Sequence, residues 1–193
     1  MREITLKVYT AAELSEEARE HAREQYARHL SEDGYITGYI SDMFKQDLEE
    51  YGLGSLADKC YWSLSYCQGD GVAFYGPIDN DALAAKSPGF AGLLAEVAAV
   101  DPDCTISIMV EQNNPHYHHW NTMRVMVEHD SRADEIDDLA EALRELVRDR
   151  LIELSRQFEK SGYEEIGYMG SMEQFLEAAE ANGWEFYEDG ELA

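Results

Sequence analysis

The spacing of apolar residues predicts an N-terminal strand followed by two helices. Residues 4–9 alternate apolar and polar side chains, which is typical of a half-buried strand. Ser15 then stands where a helix N-cap is expected, with two glutamates in the first turn, so a helix should run to about His29. After a break at 31–34, apolar residues recur at helical spacing from Ile36 to Tyr51.

In the middle of the chain the pattern of apolar and polar residues changes from the helical period to strict alternation. Alternation within 60–76, on both sides of Asp70-Gly71, predicts a β-hairpin with its turn at that pair, because both residues accept positive φ. Trp62, Leu64 and Tyr66 would share the core face of this hairpin. A second hairpin is predicted from the alternating segments 104–111 and 117–128, which flank Asn113-Asn114-Pro115.

The last third of the chain is mainly helical. No proline or glycine interrupts 131–160, so this stretch predicts one long helix that ends at Ser161-Gly162. A further helix is expected over 172–181, with Gly183 in the C-capping segment, followed by a short strand within 184–187. The predicted core side chains of the long helix are Ile136, Leu139, Leu143, Leu146, Val147, Leu151, Leu154 and Phe158.

These elements predict an α+β fold, because strands and helices do not alternate as βαβ units. Two hairpins and the N-terminal strand would form an antiparallel sheet packed with several helices, including the long one. The length of 193 residues predicts a single domain over 1–193, with 161–193 as an acidic C-terminal extension.

Charge narrows the classes of partner. The chain has 40 acidic and 15 basic residues, for a formal net charge of -25. This balance disfavours direct binding to nucleic acids or anionic membranes. It favours a cationic partner, which could be a basic protein, a divalent metal or the basic groove of a nucleic-acid-binding protein. The alternative is that the acidic surface serves solubility alone.

The cysteines and the N-terminus point to the cytoplasm. Cys60, Cys67 and Cys104 are odd in number and lack metal-ligand spacing, so we interpret them as buried thiols in a reducing compartment. We find no apolar stretch typical of a signal peptide or membrane span. A homodimer is compatible with the sequence.

Six acidic residues recur every three or four positions along the long helix. This spacing places them on one side, opposite the apolar stripe, with carboxylates every ~5–6 Å at 1.5 Å per residue. That interval is near the spacing of phosphates along a nucleic-acid strand, although the solvent side of any long amphipathic helix is also charged. The six residues are Asp134, Asp138, Glu141, Glu145, Asp149 and Glu153.

A second group of acidic residues follows Lys160, after which no basic residue occurs. Residues 161–193 contain nine acidic side chains, and concentrating such charge costs self-repulsion. We therefore include five of them in the predicted partner-binding set: Glu164, Glu165, Glu173, Glu177 and Glu180.

The histidines at 116–119 are the strongest candidates for chemistry. On a strand, His116 and His118 would point to one face and could chelate a metal with Glu111 or Glu128. The alternative is a surface cluster near a turn. No motif of a metalloenzyme or of a nucleophilic enzyme frames these residues, so we expect no catalytic residues and no cofactor.

Three segments resemble a family of phage and prophage proteins, some of which are labelled antitoxin-like. They are residues 8–18, the box Trp-Ser-x-Ser-x-x-Gln-Gly-Asp-Gly at 62–71 with its continuation to Gly76, and residues 117–123. The resemblance implies a phage-encoded protein that acts inside a bacterium.

The charge and the resemblance together predict an anti-defence inhibitor. It would bind the basic, nucleic-acid-binding surface of a host nuclease complex, of CRISPR or restriction type, as an acidic mimic of DNA. One alternative is an antitoxin-like protein that neutralises a basic toxin, and another is a metalloenzyme built on the histidine cluster.

Overall fold

The computed structural model describes residues 6–32, 34–114 and 116–193, and confirms the α+β class. Among these residues, none of the helices is both long and apolar enough to cross a membrane. The α-helices are α1 (Glu16–Glu32), α2 (Tyr35–Glu50), α3 (Asn80–Lys86), α4 (Pro88–Val100), α5 (Asp134–Met169) and α6 (Met172–Asn182). The strands are β1 (Tyr9–Thr10), β2 (Cys60–Ser63), β3 (Gly71–Phe74), β4 (Gly76–Pro77), β5 (Ile106–Gln112), β6 (Met123–His129) and β7 (Glu185–Phe186).

The chain divides into two compact units. One combines the described residues up to Ile40 with Tyr163–Ala193, and the other is Ser41–Gly162. The acidic C-terminal segment therefore shares a unit with the N-terminal segment. The single domain expected from the length stays a prediction.

The first unit is built around β1, β7, α1 and α6. Tyr9 pairs with Phe186 in a two-stranded antiparallel sheet, and Phe175 of α6 is buried beside Ala18 and Ala22 of α1. Ser15 caps α1 as predicted, since its hydroxyl accepts the amide N–H of Ala18 at 3.2 Å.

The N-terminal strand is shorter than predicted and begins further along the chain. The structure shows strand at 9–10 but not at 6–8, because β7 offers only two residues for pairing. The remaining predicted strand positions, Ile4 and Thr5, lie outside the described residues.

Both predicted hairpins of the second unit are confirmed, but their connections differ. Gly71 is the first residue of β3 and pairs with Ser63, so residues 64–70 form a loop and the predicted two-residue turn at Asp70-Gly71 is wrong. The shared core face is also wrong in part, because Tyr66 in this loop is 77% exposed whereas Leu64 is buried.

The second hairpin carries β5 and β6, which form a three-stranded sheet in the order β4-β5-β6. Its register pairs Gln112 with Met123, so residues 113–122 connect the strands and β6 begins later than the predicted Tyr117. Pro115, part of the predicted turn, lies outside the described residues.

Three phenylalanines from different elements pack together in the core of the second unit. The Phe158 ring of α5 stacks on Phe44 of α2 with centroids 4.8 Å apart, and meets Phe74 of β3 edge-on at 5.4 Å. All three side chains are fully buried. The hydroxyl of Ser155, one turn before Phe158, donates to the carbonyl of Val72. These contacts fix one side of α5 against α2 and β3.

The predicted end of the long helix at Ser161-Gly162 is wrong, because α5 continues to Met169. Gly162 is buried within the helix, and a Cβ atom there would collide with Leu64 and come within 3.0 Å of the Phe44 ring. The glycine therefore permits close packing and does not end the helix.

Replacing Gly162 by Ala should lower the free energy of unfolding. Overpacking a core typically costs about 1–3 kcal/mol, which exceeds the gain of about 1 kcal/mol expected from alanine in a helix. Gly167 in the same helix is a matched control, because a Cβ there would have no neighbour within 4 Å. Denaturant unfolding should show Gly167→Ala stabilised and Gly162→Ala destabilised, whereas stabilisation of both would contradict the packing role of Gly162.

Candidate partner-binding surface

The six predicted carboxylates of α5 lie together on its solvent side. We call Asp134, Asp138, Glu141, Glu145, Asp149 and Glu153 the acidic row, and all six side chains are exposed. At 100° per residue they lie on the opposite side of α5 from buried Leu143 and Leu154. At 1.5 Å per residue the row extends over ~28 Å.

Arginines of the same helix pair with part of the row. Glu141 forms an ion pair with Arg144, which lowers the pKa of the Glu141 carboxyl through their hydrogen bond. Asp149 and Glu153 form similar pairs: Arg148 lies 2.9 Å from Asp149, and Arg150 lies 2.7 Å from Glu153. Among the described residues, Asp134, Asp138 and Glu145 form no ion pair.

These pairs leave the row accessible to an external cation. Exposed ion pairs contribute about 0–1 kcal/mol, so an external cation can replace an arginine at small cost. The row therefore offers unpaired carboxylates between weakly paired ones along a rigid helix.

The second predicted group of carboxylates lies in the first unit. Glu164 and Glu165 belong to the end of α5, and Glu165 is only half-exposed. Glu173 lies in the first turn of α6, and Glu177 accepts a hydrogen bond from Gln174 at 2.9 Å. Glu180 is also exposed on α6. All five residues belong to the first unit, whereas the acidic row belongs to the second.

The histidines do not lie on a strand, so the predicted chelating geometry is wrong. Both precede β6, in the connection that the β5–β6 register leaves unpaired. The His118 ring stacks on Tyr61 at 5.1 Å, and its partial burial lowers the pKa of the imidazole. His116 is exposed. Within the described ranges, no three His, Cys, Asp or Glu residues are arranged to hold a metal ion.

One carboxylate, that of Asp70, organises the loop at 64–70. Asp70 accepts hydrogen bonds from the Ser63 hydroxyl at 2.9 Å, the Ser65 amide at 2.7 Å and the Cys67 amide at 2.8 Å. Tyr66, at the exposed part of this loop, has a positive φ of 57°. Asp70 therefore holds the loop in a defined conformation.

Two glycines of the box bring this loop against the 116–122 connection. A Cβ on Gly71 would lie 2.6 Å from the Cβ of His119, and a Cβ on Gly69 would collide with the Tyr117 ring. Both glycines also have positive φ, 98° at Gly69 and 150° at Gly71. Close approach and backbone conformation thus both favour glycine at these positions.

The two contacting segments expose aromatic side chains. We call four side chains the aromatic platform: Tyr66 of the loop, Tyr117 and Trp120 of the connection, and Tyr61 of β2, whose ring stacks on His118 of the connection. Each of the four is at least 37% exposed. The sequence carried a signal for this surface: residues 60–78 contain Asp70 as their one charged residue, and residues 112–123 contain no Asp, Glu, Lys or Arg. These two aromatic segments, with one charged residue between them, contrast with the high charge of the rest of the chain.

Trp120 connects the platform to α5. The guanidinium of Arg156 lies over the Trp120 ring, 4.9 Å from its centroid. Arg156 follows Glu153 by three residues and projects from the same side of the helix as the acidic row. The platform therefore begins where the row ends.

Comparison with known proteins identifies a family. A family model described as a domain of unknown function, DUF8835, matches residues 37–166. This range includes the acidic row and the aromatic platform and does not include Glu173, Glu177 or Glu180. No curated protein and no solved structure matches the chain.

The cysteines should differ in reactivity, which corrects the expectation that all are buried. Cys67 is exposed in the Asp70 loop, whereas burial raises the pKa of the Cys60 thiol to about 12. Because the thiolate is the reacting species, we expect an alkylating reagent near pH 7.5 to modify Cys67 first and Cys60 only after unfolding. Peptide mapping by mass spectrometry would measure this order, with Cys67→Ser as the control; faster labelling of Cys60 would contradict the described burial.

Proposed function

Because the chain belongs to the DUF8835 family, whose description names no activity, we propose a function from its own surface. The protein binds the basic, nucleic-acid-binding surface of a host protein, and the acidic row of α5 imitates the phosphates of DNA. The observation that carries this proposal is the alignment of six exposed carboxylates on one side of a helix whose other side is buried.

The electrostatics of the row suit such a partner. Lysines and arginines that normally hold phosphates would pair with its carboxylates, and displaced counterions would make binding weaken as salt rises. The net charge of -25 would speed association with a basic surface and repel nucleic acids themselves. The protein acts by occupancy, without turnover.

The biological setting follows from the resemblance of the box at 62–71 to phage proteins. In this setting the protein acts inside a bacterial cell, and its partner is a nuclease complex of CRISPR or restriction type. An antitoxin-like role against a basic toxin would use the same surface and is distinguished by the identity of the partner.

Reversing three charges of the acidic row should prevent the protein from displacing DNA from its partner. In Asp138→Lys/Glu141→Lys/Glu145→Lys, lysines would face the lysines and arginines of the partner, and we expect affinity to fall by at least about tenfold. The matched control, Glu17→Lys/Glu24→Lys/Glu32→Lys, changes exposed residues of α1 in the first unit, which lie outside the predicted partner-binding set. Both triples shift the net charge from -25 to -19, because each substitution adds two charges.

The measurement is displacement of a fluorescent DNA duplex from purified CRISPR effector and restriction complexes, at ~0.1 and ~0.5 M salt. Wild type and control should displace DNA at the lower salt, and the row triple should not. Equal loss in both triples would mean that net charge alone matters. If the protein displaces DNA from no complex and does not raise phage plating on hosts that carry these systems, the anti-defence role is wrong.

A further inference from the structure

The aromatic platform has the properties of a binding hot spot. Tyrosine and tryptophan are enriched among residues that dominate binding energy, and large exposed aromatics in a monomer commonly mark a contact surface. Asp70 and the two glycines fix the segments that carry the platform, so little conformational entropy would be lost when a partner binds.

Cation–π contacts within the protein indicate which chemical group suits aromatic rings such as those of the platform. Arg156 places its guanidinium over Trp120, and Arg150 does the same over Tyr51 with its carbon 4.6 Å from the ring centroid. Guanidinium groups are favourable on aromatic faces because they are planar, weakly hydrated cations, whereas an ammonium group holds its water more strongly.

The position of the platform also favours a basic partner that carries arginine. Trp120 contacts Arg156, which projects from the side of α5 that bears the row, one turn beyond Glu153. A basic segment lying along the row would therefore reach the platform at the C-terminal end of the row. The nearby carboxylates disfavour nucleic acid as the occupant, because they would repel its phosphates.

We propose that the aromatic platform is an arginine-binding extension of the acidic row and selects arginine-rich over lysine-rich partners. This inference rests on the proposed function, since it assumes that the row binds a basic protein. The row supplies attraction that does not distinguish arginine from lysine, and the stacked aromatic rings supply the distinction.

The test compares fluorescein-labelled deca-arginine and deca-lysine binding to the full chain by anisotropy at ~0.1 M salt. Wild type should bind deca-arginine more tightly. Trp120→Leu/Tyr117→Leu should weaken deca-arginine binding by about fivefold to thirtyfold, the size expected for two cation–π contacts, and change deca-lysine binding by less than about threefold. Trp120→Tyr should retain most of the selectivity because it keeps an aromatic face.

Three controls separate the outcomes. Tyr39→Leu removes an aromatic side chain that is 44% exposed in the first unit and should change neither affinity. Asp138→Lys/Glu141→Lys/Glu145→Lys should weaken both peptides alike. Circular dichroism would verify that each variant is folded, and Trp120→Leu alone gives a second test if loss of Tyr117 disturbs its contact with Gly69.

Each result has a distinct meaning. If both peptides bind equally and the aromatic variants change nothing, the platform proposal is wrong while the proposed function stands. If neither peptide binds, the proposed function fails. Tight binding of a ten-residue single-stranded DNA that is lost in Trp120→Leu would overturn arginine as the occupant and identify a base-stacking surface.

Discussion

The packing of Phe158 between Phe44 and Phe74 is the contact on which the rest of the second unit depends. It fixes the rotation of α5 about its own axis, because the stacked ring at 4.8 Å and the edge-on ring at 5.4 Å come from different elements. Gly162 extends the contact by one turn and removes the Cβ that would separate α5 from Leu64. With one side of the helix fixed in this way, the carboxylates on the other side must face solvent.

The resulting surface combines two interactions with different ranges. Carboxylates of the row act over about 8–10 Å at physiological salt and would bring a basic partner to the helix. Aromatic rings act only at contact and would favour partners that present guanidinium groups. Arg156 over Trp120 lies at the junction, so the partner's arginine would compete with a side chain that already occupies this ring. Such competition favours partners that contact the row and the platform together.

Local patterns allowed the helices to be predicted, because burial of one helix side repeats every 3.6 residues. The solvent side of α5 is confirmed for this reason. Both hairpins are confirmed because burial in a strand alternates every two residues, and the Ser15 cap because a hydroxyl can accept an amide N–H of the first helical turn. The predictions that were wrong concern residues whose roles depend on contacts with residues far away in the sequence. Gly162 meets Leu64, almost 100 positions earlier, and Gly69 meets Tyr117. The platform could not be predicted because the approach of these two segments leaves no periodic signal, although their lack of charge was visible.

Amide chemical-shift mapping with deca-arginine tests the central claim most directly. If the row and the platform form one surface, perturbed amides should cluster at 134–156 and at 60–71 and 116–122, and Asp138→Lys/Glu141→Lys/Glu145→Lys should remove them. Shifts spread in proportion to charge over all acidic segments, including 173–191, would contradict the account and assign the acidity to solubility.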